Sequence, residues 1–159
     1  MTRTAILLSK AFLVLLFCAG LFVQTVILPI QAAESAAAYP ELDFLRLPIL
    51  IMGLLFVVCG QVVVVCVWVL LSLVRHDAIF TERAFRYVDV MIVSLLAAAA
   101  LIVVALVTLE VTADAGPPGL FVLGLGVAFG CAALGLVVFV MRSLLVKASE
   151  QARYLDEVV

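Results

Sequence analysis

The chain has 159 residues, of which 68% are apolar and 13% are charged, and its net charge is −2. Globular proteins are about 45–50% apolar and about 25% charged, so this composition excludes an ordinary water-soluble domain. It predicts a single domain for which lipid covers part of the surface, and the weak net charge gives no reason to expect direct nucleic-acid binding.

Charged residues divide the chain into four long uncharged stretches, each of at least 20 residues. About 20 apolar residues cross the ~30 Å hydrocarbon core of a bilayer as a helix. Four strands could not satisfy their own edges in lipid, whereas helices bond every backbone group internally. The sequence therefore predicts an all-α fold, a four-helix transmembrane bundle with spans at about 11–31, 47–74, 88–110 and 119–142.

Two prolines fall within the first two predicted spans. Pro48 is expected in the first turn of the second helix, where its missing N–H has no consequence. Pro29 is expected to bend or end the first helix.

Residues 1–37 also have features of a signal peptide, with a basic start, an apolar stretch and small residues around Ser35. Its cleavage would leave three spans. The apolar stretch is longer than the usual 7–15 residues, which favours a membrane span that is retained.

The lysines and arginines predict the orientation. Eight of the nine flank one side of the predicted spans, and only Arg46 lies on the other side. Because positively charged flanks stay in the cytoplasm, we expect both chain ends inside, with a cytoplasmic loop at 75–87 and a cytoplasmic tail at 143–159.

No Asp, Glu, Lys, Arg or His side chain lies deep within a predicted span, which argues against ion-coupled transport. Cys59 and Cys66 are two helical turns apart, but the chain has no C-x-x-C pair and only one histidine, so small packing residues are favoured over a metal or redox site. We therefore expect no enzymatic activity, no catalytic residue, no metal and no cofactor.

Three polar or small residues within the spans are candidates for helix packing. Gln61 lies in the middle of the second span, where an interhelical hydrogen bond is favoured over a ligand or pore contact. Gly126 and Gly130 form a G-x-x-x-G step in the fourth span, which allows close helix approach. This step is compatible both with a homodimer interface and with packing inside the bundle.

The loop between the second and third spans carries the candidate partner surface. Thr81 can cap a helix that starts at Glu82. Apolar and basic side chains then alternate toward the third span, and they form either a protein-binding surface or an interfacial helix anchored by Tyr87. The candidate surface residues are Ile79, Phe80, Arg83, Phe85 and Arg86. The tail continues the fourth helix and could dock a partner or fold back beside this loop.

The whole chain resembles the DUF2975 family of small bacterial membrane proteins with four spans. The segment from Ile79 to Ala84 is similar to a loop pattern of that family, although Ala84 stands where many members have Asn. The ending from Leu155 to Val159 is similar to the family's acidic and then aliphatic terminus. The resemblance implies a multi-pass protein of the bacterial cytoplasmic membrane, in genomes where a small helix-turn-helix regulator is often the neighbouring gene.

Two functions follow as hypotheses. The first is a regulatory or interaction protein without enzymatic activity that binds a cytosolic partner, such as a helix-turn-helix transcriptional regulator. The second is a transporter or channel component for an uncharged solute. The lipid bilayer is the one partner that both hypotheses require.

Overall fold

The computed structural model describes residues 3–74, 82–113 and 118–156, and within these ranges the chain is almost entirely helical and contains no strand. Four helical stretches are long and apolar enough to cross a membrane, which confirms the predicted all-α class. The elements are α1 (Arg3–Phe22), a π-helical turn (Val23–Ile27), α2 (Leu28–Ala38), a 3₁₀ turn (Pro40–Leu42), α3 (Asp43–Val74), α4 (Glu82–Ala113) and α5 (Pro118–Asp156).

The first span is continuous from α1 through the π turn into α2. Pro29 lacks an N–H, and in an α-helix its ring would clash with the carbonyl four residues earlier. The π turn directly before it, in which the Leu28 N–H bonds to the Val23 carbonyl, accommodates this mismatch. The helical path therefore continues to Ala38 and does not end at Pro29.

A tight connection joins α2 to α3. The Tyr39 N–H bonds to the Ser35 carbonyl, and the Leu42 N–H bonds to the Tyr39 carbonyl, each at 3.0 Å. Asp43 lies in the first turn of α3, where a negative charge is favourable. Because α3 begins this early, Pro48 lies inside the helix, and the prediction that it occupies the first turn is wrong.

The last two helices extend well beyond the thickness of a membrane. α4 begins at Glu82, where the capping pattern predicted a helix start, although Thr81 lies outside the described residues. α5 has 39 residues, a length of about 58 Å at 1.5 Å per residue. The hydrocarbon core needs only ~30 Å, so α5 continues as a helix outside it.

The helices pack in chain order, and α3 and α4 are the two inner helices of the bundle. α1 and α2 contact α3, α3 contacts α4, and α4 packs along α5. Most of the buried apolar side chains among those described are small, and four of the seven belong to α4. They are Leu45, Cys66, Ala84, Ile92, Ala98, Ala99 and Ala128. Small side chains allow close backbone approach, which is how helices associate in lipid.

Hydroxyl groups within the spans are satisfied by their own helices. Thr108 and Thr112 each donate to the carbonyl four residues earlier, at 2.7 and 2.6 Å. Thr25 and Ser72 make the same bond at 2.8 and 3.0 Å. These bonds remove the penalty for a free hydroxyl in hydrocarbon, so these groups need no partner from another helix.

Candidate interaction surface at the basic end

One end of the bundle collects basic side chains. Because the spans alternate in direction, the start of α1, the end of α3, the start of α4 and the end of α5 meet at this end. The basic residues there whose side chains are described are Lys10, Arg86, Arg142 and Lys147. We call this the basic end, and its assignment to the cytoplasm stays a prediction from charge asymmetry.

The predicted partner surface falls at this end. Phe85 is half-buried and Arg86 is exposed, both in the first turns of α4. Arg83 belongs to the same helix, while Ile79 and Phe80 lie outside the described residues. Helix α4 therefore begins within the predicted loop, and part of the predicted surface is helical.

An ion pair joins α4 to α5 at the basic end. Nη2 of Arg142 donates to Oδ2 of Asp89 at 2.9 Å, and Nε lies 2.6 Å from Oδ1 as a charge contact without hydrogen-bond geometry. The side chains are 30% and 49% exposed for Arg142 and Asp89, so water and headgroups weaken the attraction. The two-point contact still fixes the register of the two helices.

The sequence analysis missed this pair, although the signal for it exists. Asp89 lies 24 residues before the end of α4, and Arg142 lies 24 residues after the start of α5. In an antiparallel pair of helices, residues at equal distance from the connection lie at the same depth. The equal spacing could have identified the partners.

The first span is attached to α3 by polar contacts. The Lys10 ammonium lies 4.9 Å from the centre of the Trp68 ring, a cation–π contact. The Gln61 amide donates to Gln24 Oε1 at 3.2 Å, and the Gln24 amide reaches the Leu54 carbonyl at 3.4 Å. Gly20 packs against Gln61, and a Cβ there would lie 3.2 Å from the amide nitrogen.

The glycines of α5 divide into two sets. Gly124 and Gly135 face α4, where a Cβ would lie 2.9 Å from Leu106 and 3.5 Å from Leu95. Gly126 and Gly130 are exposed and a Cβ there would meet no atom within 4 Å. Within the chain, the close approach to α4 thus uses Gly124 and Gly135, and the homodimer interpretation of Gly126 and Gly130 stays a prediction.

The two cysteines that the sequence placed two helical turns apart both lie on α3. Cys66 is buried and Cys59 is half-buried, and both are free thiols. Across the described ranges, no three His, Cys, Asp or Glu side chains are grouped so that they could hold a metal ion. Their burial favours a helix-packing role for these two thiols.

The architecture and its polar contacts define a multi-pass, all-helical membrane protein. A family model described as a protein of unknown function (DUF2975) matches residues 30–159. The match covers most of the chain, which therefore belongs to the DUF2975 family. No curated protein and no solved structure matches the chain.

Proposed function

We propose that this protein is a non-enzymatic interaction protein of the bacterial cytoplasmic membrane that holds a cytosolic partner at its basic end. The docking surface would combine Phe85 and Arg86 on α4 with the part of α5 from Arg142 to Asp156. We call this surface the α4–α5 platform. The partner that the family resemblance suggests is a small helix-turn-helix regulator.

The length of α5 carries the proposal. The helix continues for about 14 residues after Arg142, the first charged residue that follows its apolar stretch. At 1.5 Å per residue this extension is about 21 Å long. A span that only needed to cross the membrane would end near its first charged residue, so the extension supports a role outside the hydrocarbon.

The Asp89–Arg142 pair supports a rigid platform. It joins α4 to α5 at the point where both helices leave the apolar region. A surface built on braced helices presents its side chains in one arrangement, and this lowers the entropy lost on binding. The pair therefore favours a preformed docking site over a flexible tail.

The side chains of the platform have the chemistry of an interface. Leu144 and Leu145 are exposed on α5 beyond Arg142, and Phe85 is half-buried on α4. Arg86 and Lys147 are exposed beside these apolar groups. Aromatic and arginine side chains are enriched at protein interfaces, and the basic groups suit an acidic partner surface.

A defined binding assay tests the proposal. The purified protein in detergent is mixed with a purified helix-turn-helix regulator of the kind that the family resemblance suggests, and retention is compared for wild type and for Phe80→Glu combined with Phe85→Glu. We expect wild type to retain the regulator and the variant to lose it. Tyr39→Glu, which adds a charge at the opposite, exposed end, should bind as wild type does.

If wild type retains neither this regulator nor any other cytosolic protein, the proposal fails. Equal retention by the Phe80/Phe85 variant would show that the α4–α5 platform is not the binding surface.

The second hypothesis is a transporter or channel component for an uncharged solute. Its motivation is the four spans, the mid-membrane Gln61 and the glycine-rich fourth helix. The Gln61 amide donates to Gln24 in the contact between the first span and α3, and this bond favours a packing role for Gln61. Flux in proteoliposomes tests it. Flux above empty vesicles that Gln61→Leu abolishes would restore this hypothesis.

A further inference from the structure

A cleft opens between the first span, α3 and α4 in the half of the bundle nearer the basic end. Its volume is about 430 Å³, within the ~300–1,000 Å³ range of ligand sites. The cleft exists because α1 packs on α3 and leaves a wedge beside α4. Its lining is almost wholly apolar and includes Phe17, Val58, Val62, Val65, Tyr87 and Val90.

The cleft spans about one leaflet in depth. Val58 and Gln61 lie at its deep end, where Gln61 is bonded to Gln24, and Tyr87 lies at its outer end near the start of α4. The α3 part of the lining runs from Val58 to Cys66, a distance of about 12 Å along the helix. Half of a ~30 Å hydrocarbon core is ~15 Å, so the cleft matches the depth that a lipid acyl chain occupies.

Two cations stand at the outer end of the cleft. Lys10 lies two helical turns before Phe17 on the same face of α1, and Arg86 lies one turn before Val90 on the same face of α4. Lys10 also contacts Trp68, three residues beyond Val65 on α3. Both cations therefore lie above the apolar lining, on the side toward the membrane surface.

These cations have no carboxylate partner among the described side chains. Asp89 is the one described carboxylate at the basic end, and it is bound to Arg142. Arg86 is exposed, and Lys10 contacts an aromatic ring. Among the described side chains, the cleft thus has an apolar lining and two cations at its mouth.

We infer that this cleft binds an anionic glycerophospholipid from the leaflet at the basic end. One acyl chain fills the apolar lining, and the phosphate lies against Lys10 and Arg86. The Tyr87 ring lies at headgroup level, where tyrosines are enriched. Basic pockets between membrane helices select anionic headgroups in this way.

The groove between α4 and α5 provides an internal comparison. It has about the same volume, 450 Å³, and an apolar lining that includes Ile92, Leu96 and Phe139. The charges nearest its basic end are Asp89 and Arg142, which neutralise each other. This groove has an apolar lining, but its nearest cation, Arg142, is paired with a carboxylate. It should therefore bind lipids without regard to headgroup charge.

Lipid titration of the full chain in detergent tests the charge requirement. Binding of phosphatidylglycerol and of phosphatidylcholine is measured by native mass spectrometry. Lys10→Gln and Arg86→Gln should each weaken phosphatidylglycerol binding about fivefold, and the double variant about thirtyfold. Lys10→Arg with Arg86→Lys should keep wild-type affinity, as should Arg46→Gln, which removes an exposed cation at the opposite end of the bundle.

A second pair of variants tests the cleft itself. Val62→Trp fills the cleft and should abolish the preference for phosphatidylglycerol, whereas Val93→Trp, at a 65% exposed position outside it, should not. Equal binding of both lipids by wild type overturns the inference. Retained preference in the Lys10/Arg86 double variant, or equal loss in Val93→Trp, overturns it as well.

Discussion

Helix α4 and the first span are held in the same bundle by different means. α4 lies between α3 and α5 and buries alanines at Ala84, Ala98 and Ala99. The best apolar window of the first span buries none of its residues. It is held by Lys10 on Trp68 and by the amides of Gln24 and Gln61.

The difference shows what drives helix association in lipid. Acyl chains are as apolar as leucine, so burying apolar surface gives little net gain there. A helix must either pack closely through small residues, as α4 does, or make polar contacts that lipid cannot make, as the first span does. The family match begins at Ile30, so the closely packed part lies inside it and α1 lies outside it.

The largest effect is expected from overpacking α4. Ala98→Leu places a large side chain at a buried contact and should lower the free energy of unfolding by about 2–3 kcal/mol. Ala100→Leu makes the same change at an exposed position of the same helix and should have almost no effect. Unfolding in detergent–SDS mixtures measures the stability of both variants. Equal effects would show that α4 is not an inner helix of the bundle.

Loss of the ion pair should have a smaller effect. Asp89→Ala leaves the Arg142 guanidinium without its partner and should destabilise the protein by about 1–2 kcal/mol. A double-mutant cycle with Arg142→Ala should give a coupling energy of about 1 kcal/mol. Additive effects of the two single variants would show that the pair does not brace the platform.

Alanine substitutions at two glycines of α5 should change the stability of the protein in opposite directions. Gly124→Ala places a Cβ 2.9 Å from Leu106, whose side chain must move, and should destabilise the protein by about 1 kcal/mol. Gly126→Ala meets no atom within 4 Å and should stabilise the helix by about 0.5–1 kcal/mol. Destabilisation by Gly126→Ala that depends on protein concentration would indicate a dimer interface there.

The smallest effect is expected at the polar contact of the first span. Gln61→Leu removes the hydrogen bond to Gln24 and should lower stability by about 0.6 kcal/mol. Gln24→Leu combined with Gln61→Leu should add little to this value. The exposed Gln31→Leu is the control, and an equal loss there would mean that the hydrogen bond does not hold the span.

The spans and the helical class could be predicted because lipid excludes charge and unpaired backbone, and both exclusions are visible in the sequence. The Glu82 start of α4 was predictable from local capping chemistry. The early start of α3 was not predictable in this way, because a proline such as Pro48 is typical of a first turn, whereas the helix begins at Asp43.

The relations between helices were less accessible. A uniformly apolar stretch does not encode which side of a helix faces its neighbours. The sequence therefore did not show that α4 is an inner helix, or that Gly124 and not Gly126 faces it. The Asp89–Arg142 pair was recoverable from equal spacing about the α4–α5 connection. The cleft was not, because it arises from where three helices diverge.

Topology mapping tests the central claim most directly, since both the platform and the lipid site require the basic end to face the cytoplasm. Reporter fusions after residues 36, 76, 115 and 159 sample both sides of all four spans. The account predicts that the fusions at 36 and 115 report an external location and those at 76 and 159 a cytoplasmic one. A cytoplasmic report at 36 and 115 would contradict it.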